Sequence, residues 1–139
     1  MCGITGFVST RSLSEEDLYV YIDKMSSVLN HRGPDDTGAW VDKEKNISLG
    51  HKRLSILDLS AFGHQPMTSS SNRYIIVFNG EIYNHLILRK EINELSSEII
   101  SWSGTSDTET LLKCFDFYGI ENSIKKLIGM FSIAVYDKK

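Results

Sequence analysis

The strongest constraint in this sequence is the run Arg73 to Phe78, which carries Ile75-Ile76-Val77-Phe78 and closes on Asn79-Gly80. Such a run is far shorter than the ~20 residues of a membrane-spanning helix, so it has to be sheltered inside a protein. Its aromatic and β-branched content predicts a strand, and Asn-Gly is the favoured dipeptide of a two-residue hairpin turn. The expectation is therefore a buried strand that turns back at Asn79-Gly80.

Other elements group around it. Ile4 to Ser9 reads as a strand. Ser12 and Ser14 offer alternative caps for a helix whose Leu18, Ile22, Met25, Val28 and Leu29 form an apolar stripe, ending before the turn-rich His31-Arg32-Gly33-Pro34-Asp35-Asp36. Gly38 to Val41 and Ile47 to Leu54 predict a hairpin across the charged Asp42 to Asn46 turn, followed by a long loop from about Leu57 to Asn72. Asn84 is placed to cap a helix with Leu86, Leu88, Ile92 and Leu95 on one face. A short strand is expected near Glu98 to Ser101. Thr105, Ser106 or Asp107 caps a further helix through Leu111, Leu112, Phe115 and Tyr118, stopping at Gly119. Cys114 falls in its core. A short helix from Glu121 to Leu127 and a last strand from Met130 to Tyr136 complete the reading, with no partner strand expected to follow it. Strands and helices alternate in groups, which predicts an α+β domain with mainly antiparallel pairing.

Composition excludes several functions. The 139 residues suit one domain, and 15 Lys+Arg against 18 Asp+Glu, a net charge of -3, give no basic field for nucleic acid or anionic membrane. Two cysteines, Cys2 and Cys114, are too few for a disulfide scaffold, and the opening MCGITGF lacks a signal-peptide pattern, so a cytoplasmic setting is expected. The four histidines, His31, His51, His64 and His85, lack metal-ligand spacing, and no Walker-type loop is present, so neither a metal nor ATP chemistry is expected in this segment.

Cys2 is the first residue with a chemical message. Removal of Met1 would leave a thiol and a free α-amine on one residue. In free form these have pKa values near ~8.5 and ~7.7 to 8, close enough for the amine to act as general base for the thiol. The Asn79 amide and the Gly80 N–H are neutral donors of the kind that stabilise a tetrahedral oxyanion, and Glu81 adds a carboxylate beside them. Arg53 offers a planar fork for a substrate carboxylate, or is a solvated charge; Asp107 is a helix-start acid, or a partner for an ammonium group.

The motifs Met1-Cys2-Gly3-Ile4-Thr5-Gly6, His31-Arg32-Gly33-Pro34-Asp35, Arg53-Leu54-Ser55-Ile56-Leu57-Asp58, Gln65-Pro66-Met67, Phe78-Asn79-Gly80-Glu81-Ile82-Tyr83-Asn84, Ser106-Asp107-Thr108-Glu109 and Gly129-Met130-Phe131 occur in the order seen in the glutaminase domain of asparagine synthetases. The chain thus resembles class II glutamine amidotransferases, members of the N-terminal-nucleophile (Ntn) hydrolases, over essentially its whole length. The resemblance implies two stacked antiparallel sheets flanked by helices, an αββα sandwich. It implies Cys2 as nucleophile, Asn79 and Gly80 as oxyanion hole, and Arg53 on the α-carboxylate of L-glutamine. Arg53, Leu54, Ser55, Ile56 and Leu57 would line the pocket, while Glu81 and Asp107 would hold the ammonium. The reaction it implies is hydrolysis of the glutamine side-chain amide to glutamate and ammonia. ATP and magnesium would belong only to a separate synthetase domain or subunit that accepts the ammonia and is absent from this sequence, which reads as an incomplete glutaminase domain. The rival readings are a non-catalytic glutamine-binding or regulatory module and an amidotransferase with an acceptor other than aspartate.

Overall fold

The structure is a computed structural model that describes residues 2–55 and 60–139. Two three-stranded antiparallel sheets are formed. The first has the order β1-β3-β2, from β1 (Gly3–Val8), β2 (Asp36–Asp42) and β3 (Ile47–Arg53). The second has the order β4-β5-β6, from β4 (Met67–Thr68), β5 (Tyr74–Ile82) and β6 (Gly129–Asp137). Helix α1 (Glu15–Ser27) packs on the first sheet, and α2 (His85–Leu95), α3 (Asp107–Tyr118) and α4 (Ile120–Lys126) follow β5. This is the expected α+β class and its αββα layering.

The apolar run in β5 has no polar alternation because both of its faces are covered. Tyr74, Ile76 and Phe78 join Leu88, Ile92, Leu111 and Phe115 of α2 and α3 in one core. Ile75 and Val77 point the other way and meet Leu49, Ile4 and Trp40 of the first sheet, with Ala134 and Tyr136 of β6 alongside. That second cluster is the layer between the sheets.

Local signals set most helix ends. Of the two possible caps for α1, Ser14 is used: its Oγ accepts from the Asp17 N–H at 3.0 Å. Ser106 does the same for α3, accepting from the Glu109 N–H at 3.2 Å. Gly119, at φ 76°, ends α3 in a conformation that side chains disfavour.

Four expectations are corrected. Asn79-Gly80 is not a hairpin turn: β5 runs straight through it, with Asn79 opposite Ser132 and Gly80 opposite Phe131 of β6. The local turn signal loses to nine residues of long-range pairing. The final strand is consequently paired along β5 and is not left single. No strand forms at Glu98 to Ser101, where Ile99 is fully exposed and has nothing to pack against. Met25 on α1 and Val28 just after it face outward, and the buried series is Leu18, Ile22, Ser26. A small residue is needed there because a Cβ on Gly50 of β3 would already collide with the Ser26 hydroxyl.

Candidate active site

The site grows out of the inter-sheet layer by the two-residue period of the strands. In β3, Leu49 is in the core, and His51 and then Arg53 follow on the same face. In β5, Ile75 and Val77 lead to Asn79 and Glu81, and in β6, Tyr136 and Ala134 lead to Ser132 and Met130. In the first segment Ile4 leads back to Cys2. Four strands therefore carry an apolar face that turns polar at one common end. There a cavity of about 450 Å³ opens, and its walls include Cys2, Arg53, Leu54, Asn79, Gly80, Glu81 and Asp107. Residues from Cys2 to Ser132, far apart along the chain, are thus gathered around one space. Ser55 is not on its wall; its N–H donates to Asp35 Oδ2 at 2.8 Å. Ile56 and Leu57 lie outside the described residues.

The Cys2 sulfur is half-buried and lies against Leu54, accepting from its N–H at 3.4 Å and facing its carbonyl at 3.7 Å. The Arg32 Nε–H donates to the Cys2 carbonyl at 3.1 Å. The same turn braces the next segment: a Cβ on Gly33 would strike the Lys52 carbonyl, and the Asp35 N–H donates to the Arg53 carbonyl at 3.0 Å. The His31 to Asp35 turn thereby holds the thiol-bearing end and the Arg53–Leu54 segment in fixed relation.

Arg53 is only 8% exposed, and its Nη1 donates to the Ser60 carbonyl at 2.9 Å. Its guanidinium lies so close to Gly63 that a Cβ there would run into it. A positive fork held in a cavity wall is suited to a carboxylate. Also on the cavity lining, Asp107 at the start of α3 is 5% exposed and its carboxylate accepts from the Ile82 N–H through Oδ2 at 3.0 Å. Burial pushes its pKa up, against the lowering effect of backbone N–H donors from Ile82, Thr108 and its own residue. Glu81 is exposed on the adjoining strand. The two acids and Arg53 give the cavity lining both negative and positive groups.

The Asn79 side chain makes no hydrogen bond to any described residue, so its amide is free for a ligand. Gly80 has φ 154°, and a Cβ there would collide with the Met130 carbonyl and Phe131 Cα. Only glycine lets β5 approach β6 this closely at the cavity wall.

Three contributors were not foreseen. His51, fully buried, donates from Nε2 to the Phe78 carbonyl at 3.1 Å, and burial pushes its pKa down to about 4, so the ring is neutral near pH 7. Gln65 accepts from the Phe78 N–H at 2.6 Å. Arg89 clamps the loop before α3, donating to the Gly104 carbonyl, the Ser106 carbonyl and Thr110 Oγ1 at 2.8, 2.9 and 2.7 Å, with Glu109 at 3.2 Å. Counting in twos from Leu49 would have placed His51 beside Arg53; the other two needed knowledge of long-range packing.

The family model described as a glutamine amidotransferase domain matches residues 1–139. Among the relatives, a protein named as a glutamine-hydrolysing asparagine synthetase in Methanocaldococcus jannaschii is 40% identical over 100% of this chain and 28% of its own length. Asparagine synthetase (glutamine-hydrolysing) 3 of Bacillus subtilis is 38% identical over 100% of this chain and 22% of its own length. Asparagine synthetase (glutamine-hydrolysing) 1 of the same organism is 37% identical over 99% and 21%. The chain thus spans about a quarter of the length of the curated relatives it matches. Among the described residues no helix is long and apolar enough to cross a membrane.

Proposed function

The chain belongs to the glutamine amidotransferase domain family, and from that premise we propose that it hydrolyses the side-chain amide of L-glutamine through a thioester on Cys2. The observation that carries the reading is the gathering of a thiol, a cation, two carboxylates and a side-chain amide without a partner among the described residues around one cavity of amino-acid size. Arg53 binds the α-carboxylate, while Asp107 and Glu81 bind the α-ammonium. The amide end of the substrate then lies toward Cys2 and Asn79.

With Met1 removed, the α-amine of Cys2 takes the thiol proton as the sulfur attacks the amide carbon. The carbonyl electron pair moves to oxygen, and the Asn79 amide and Gly80 N–H stabilise the resulting oxyanion. The tetrahedral adduct collapses by breaking the C–N bond, with the proton passing from the amine to the departing ammonia. Water then attacks the thioester through a second oxyanion, the C–S bond breaks, and glutamate leaves.

The names of the relatives support a further step in which ammonia passes to a synthetase domain or subunit that accepts it, aspartate being the acceptor that the name asparagine synthetase suggests. ATP and magnesium belong to that acceptor chemistry, and a cytoplasmic setting suits it. The test of the core reading is acid quenching during turnover followed by mass analysis of the N-terminal peptide. A glutamyl adduct on a Cys2 that begins the chain is expected. An adduct on any other residue, or turnover by a chain that keeps Met1, contradicts the reading.

A further inference from the structure

Gln65 carries an inference that deepens, and rests on, the glutamine reading. Its carboxamide is buried, at 5% exposure, and both ends are used in directions that matter. Oε1 accepts from the Phe78 N–H at 2.6 Å, one residue before Asn79. Nε2 donates to Thr108 Oγ1 at 3.3 Å, one residue after Asp107. The sheet explains why a side chain is needed. In the β4–β5 register, Met67 faces Ile76, so Gln65 stands opposite Phe78 just past the end of β4. The backbone pairing of β4 with β5 stops at Met67 and does not extend to Phe78. The side chain of Gln65 takes the N–H of Phe78, and His51 takes its carbonyl at 3.1 Å.

We propose that Gln65 is a positioning residue that couples the ammonium-binding start of α3 to the oxyanion-binding segment of β5, holding Asn79 where the tetrahedral intermediate needs it. Phe78, the residue before Asn79, is held on both sides by buried hydrogen bonds, its carbonyl by His51 and its N–H by Gln65, and the second of these runs through Gln65 to the helix that carries Asp107. A residue in this role acts on the transition state more than on the bound substrate, because its effect passes through donors that engage the developing negative oxygen.

The test compares wild type, Gln65→Met and Thr108→Val in the whole chain. Gln65→Met keeps the volume and removes both hydrogen bonds; Thr108→Val removes only the link to α3 and serves if the first variant folds poorly. Three readouts are taken: the kcat and KM split for glutamine, binding of glutamate, and binding of the aldehyde analogue of glutamine. The thiol adds to that aldehyde, forming a C–S bond while the carbonyl electron pair moves to oxygen, so only this ligand reports the oxyanion geometry. For Gln65→Met we expect kcat to fall about 10- to 100-fold with KM within about twofold. The aldehyde should weaken by a similar factor and glutamate by less than about twofold, with smaller losses of the same pattern in Thr108→Val. Equal weakening of glutamate and aldehyde, or an unchanged kcat, overturns the role. A wild-type chain that binds neither ligand overturns the glutamine reading and this role with it, an outcome distinct from a working wild type and an equally working variant.

Discussion

The Cys2 sulfur accepts a hydrogen bond from the Leu54 N–H at 3.4 Å, although 52 positions separate the two residues. Because Leu54 follows Arg53 directly, the thiol and the cation are carried as one unit by the paired strands β1 and β3. Removing the cation should therefore affect binding and leave the thiol in place. Arg53→Ala is expected to raise KM for glutamine roughly 10- to 100-fold, the equivalent of a lost charge-assisted pair, with kcat changed much less. Arg53→Lys should restore little, since an ammonium cannot reproduce the two-toothed contact. Steady-state kinetics on the two variants checks both statements.

Asn79 lines the same cavity and makes no side-chain hydrogen bond to a described residue, and its effect should fall on the other kinetic constant. Asn79→Ala is expected to lower kcat by about 10² to 10³ with KM little changed, the usual cost of one oxyanion donor. A pure KM effect would assign Asn79 to substrate binding instead.

Gly80 is a matter of stability. With φ at 154° and the Met130 carbonyl in the space a Cβ would fill, Gly80→Ala must push β5 from β6. A loss of about 2 to 4 kcal/mol is expected in urea unfolding. Gly119→Ala, where φ is 76° but nothing lies within 4 Å, should cost less, about 1 kcal/mol from backbone strain alone.

His51 makes stability depend on pH. Burial holds its folded pKa at about 4, below the 6.5 of an exposed imidazole. The unfolded chain therefore binds the proton first as pH falls, so stability declines between about 6.5 and 4, by roughly 3 kcal/mol at full protonation. Asp137, held at about 2 chiefly by its hydrogen bond from Arg73, adds a further loss between 3.8 and 2. His51→Gln, which keeps a donor for the Phe78 carbonyl, should flatten the upper part of this slope and leave the lower part. Chemical denaturation at stepped pH measures the difference.

What the sequence made legible was whatever depends on neighbours along the chain. Composition and spacing narrowed the caps to Ser12 or Ser14 and to Thr105, Ser106 or Asp107, among which the structure uses Ser14 and Ser106, and the apolar run of β5 announces its burial wherever its partners are. The Asn79-Gly80 turn failed for the opposite reason. A dipeptide reports local preference, whereas β6, some 50 residues on, decides the conformation by pairing, and it uses the glycine for close approach. Ile99 shows the same limit, since strand-forming residues make no strand without a partner edge. The candidate site residues were legible by type, and of those in the described segments Cys2, Arg53, Leu54, Asn79, Gly80, Glu81 and Asp107 line the cavity while Ser55 does not. The supporting contacts of Arg32, Gly33, His51, Gln65 and Arg89 were not, because each of these side chains or backbone approaches acts across the fold.

The most direct measurement is glutamate and ammonia release from glutamine by the purified chain and by its Cys2→Ala variant, side by side at the same concentration. The account predicts equimolar release of both products by the first and a loss of at least about 10³-fold in the second, with folding intact. Release that continues undiminished after the sulfur is removed would contradict it.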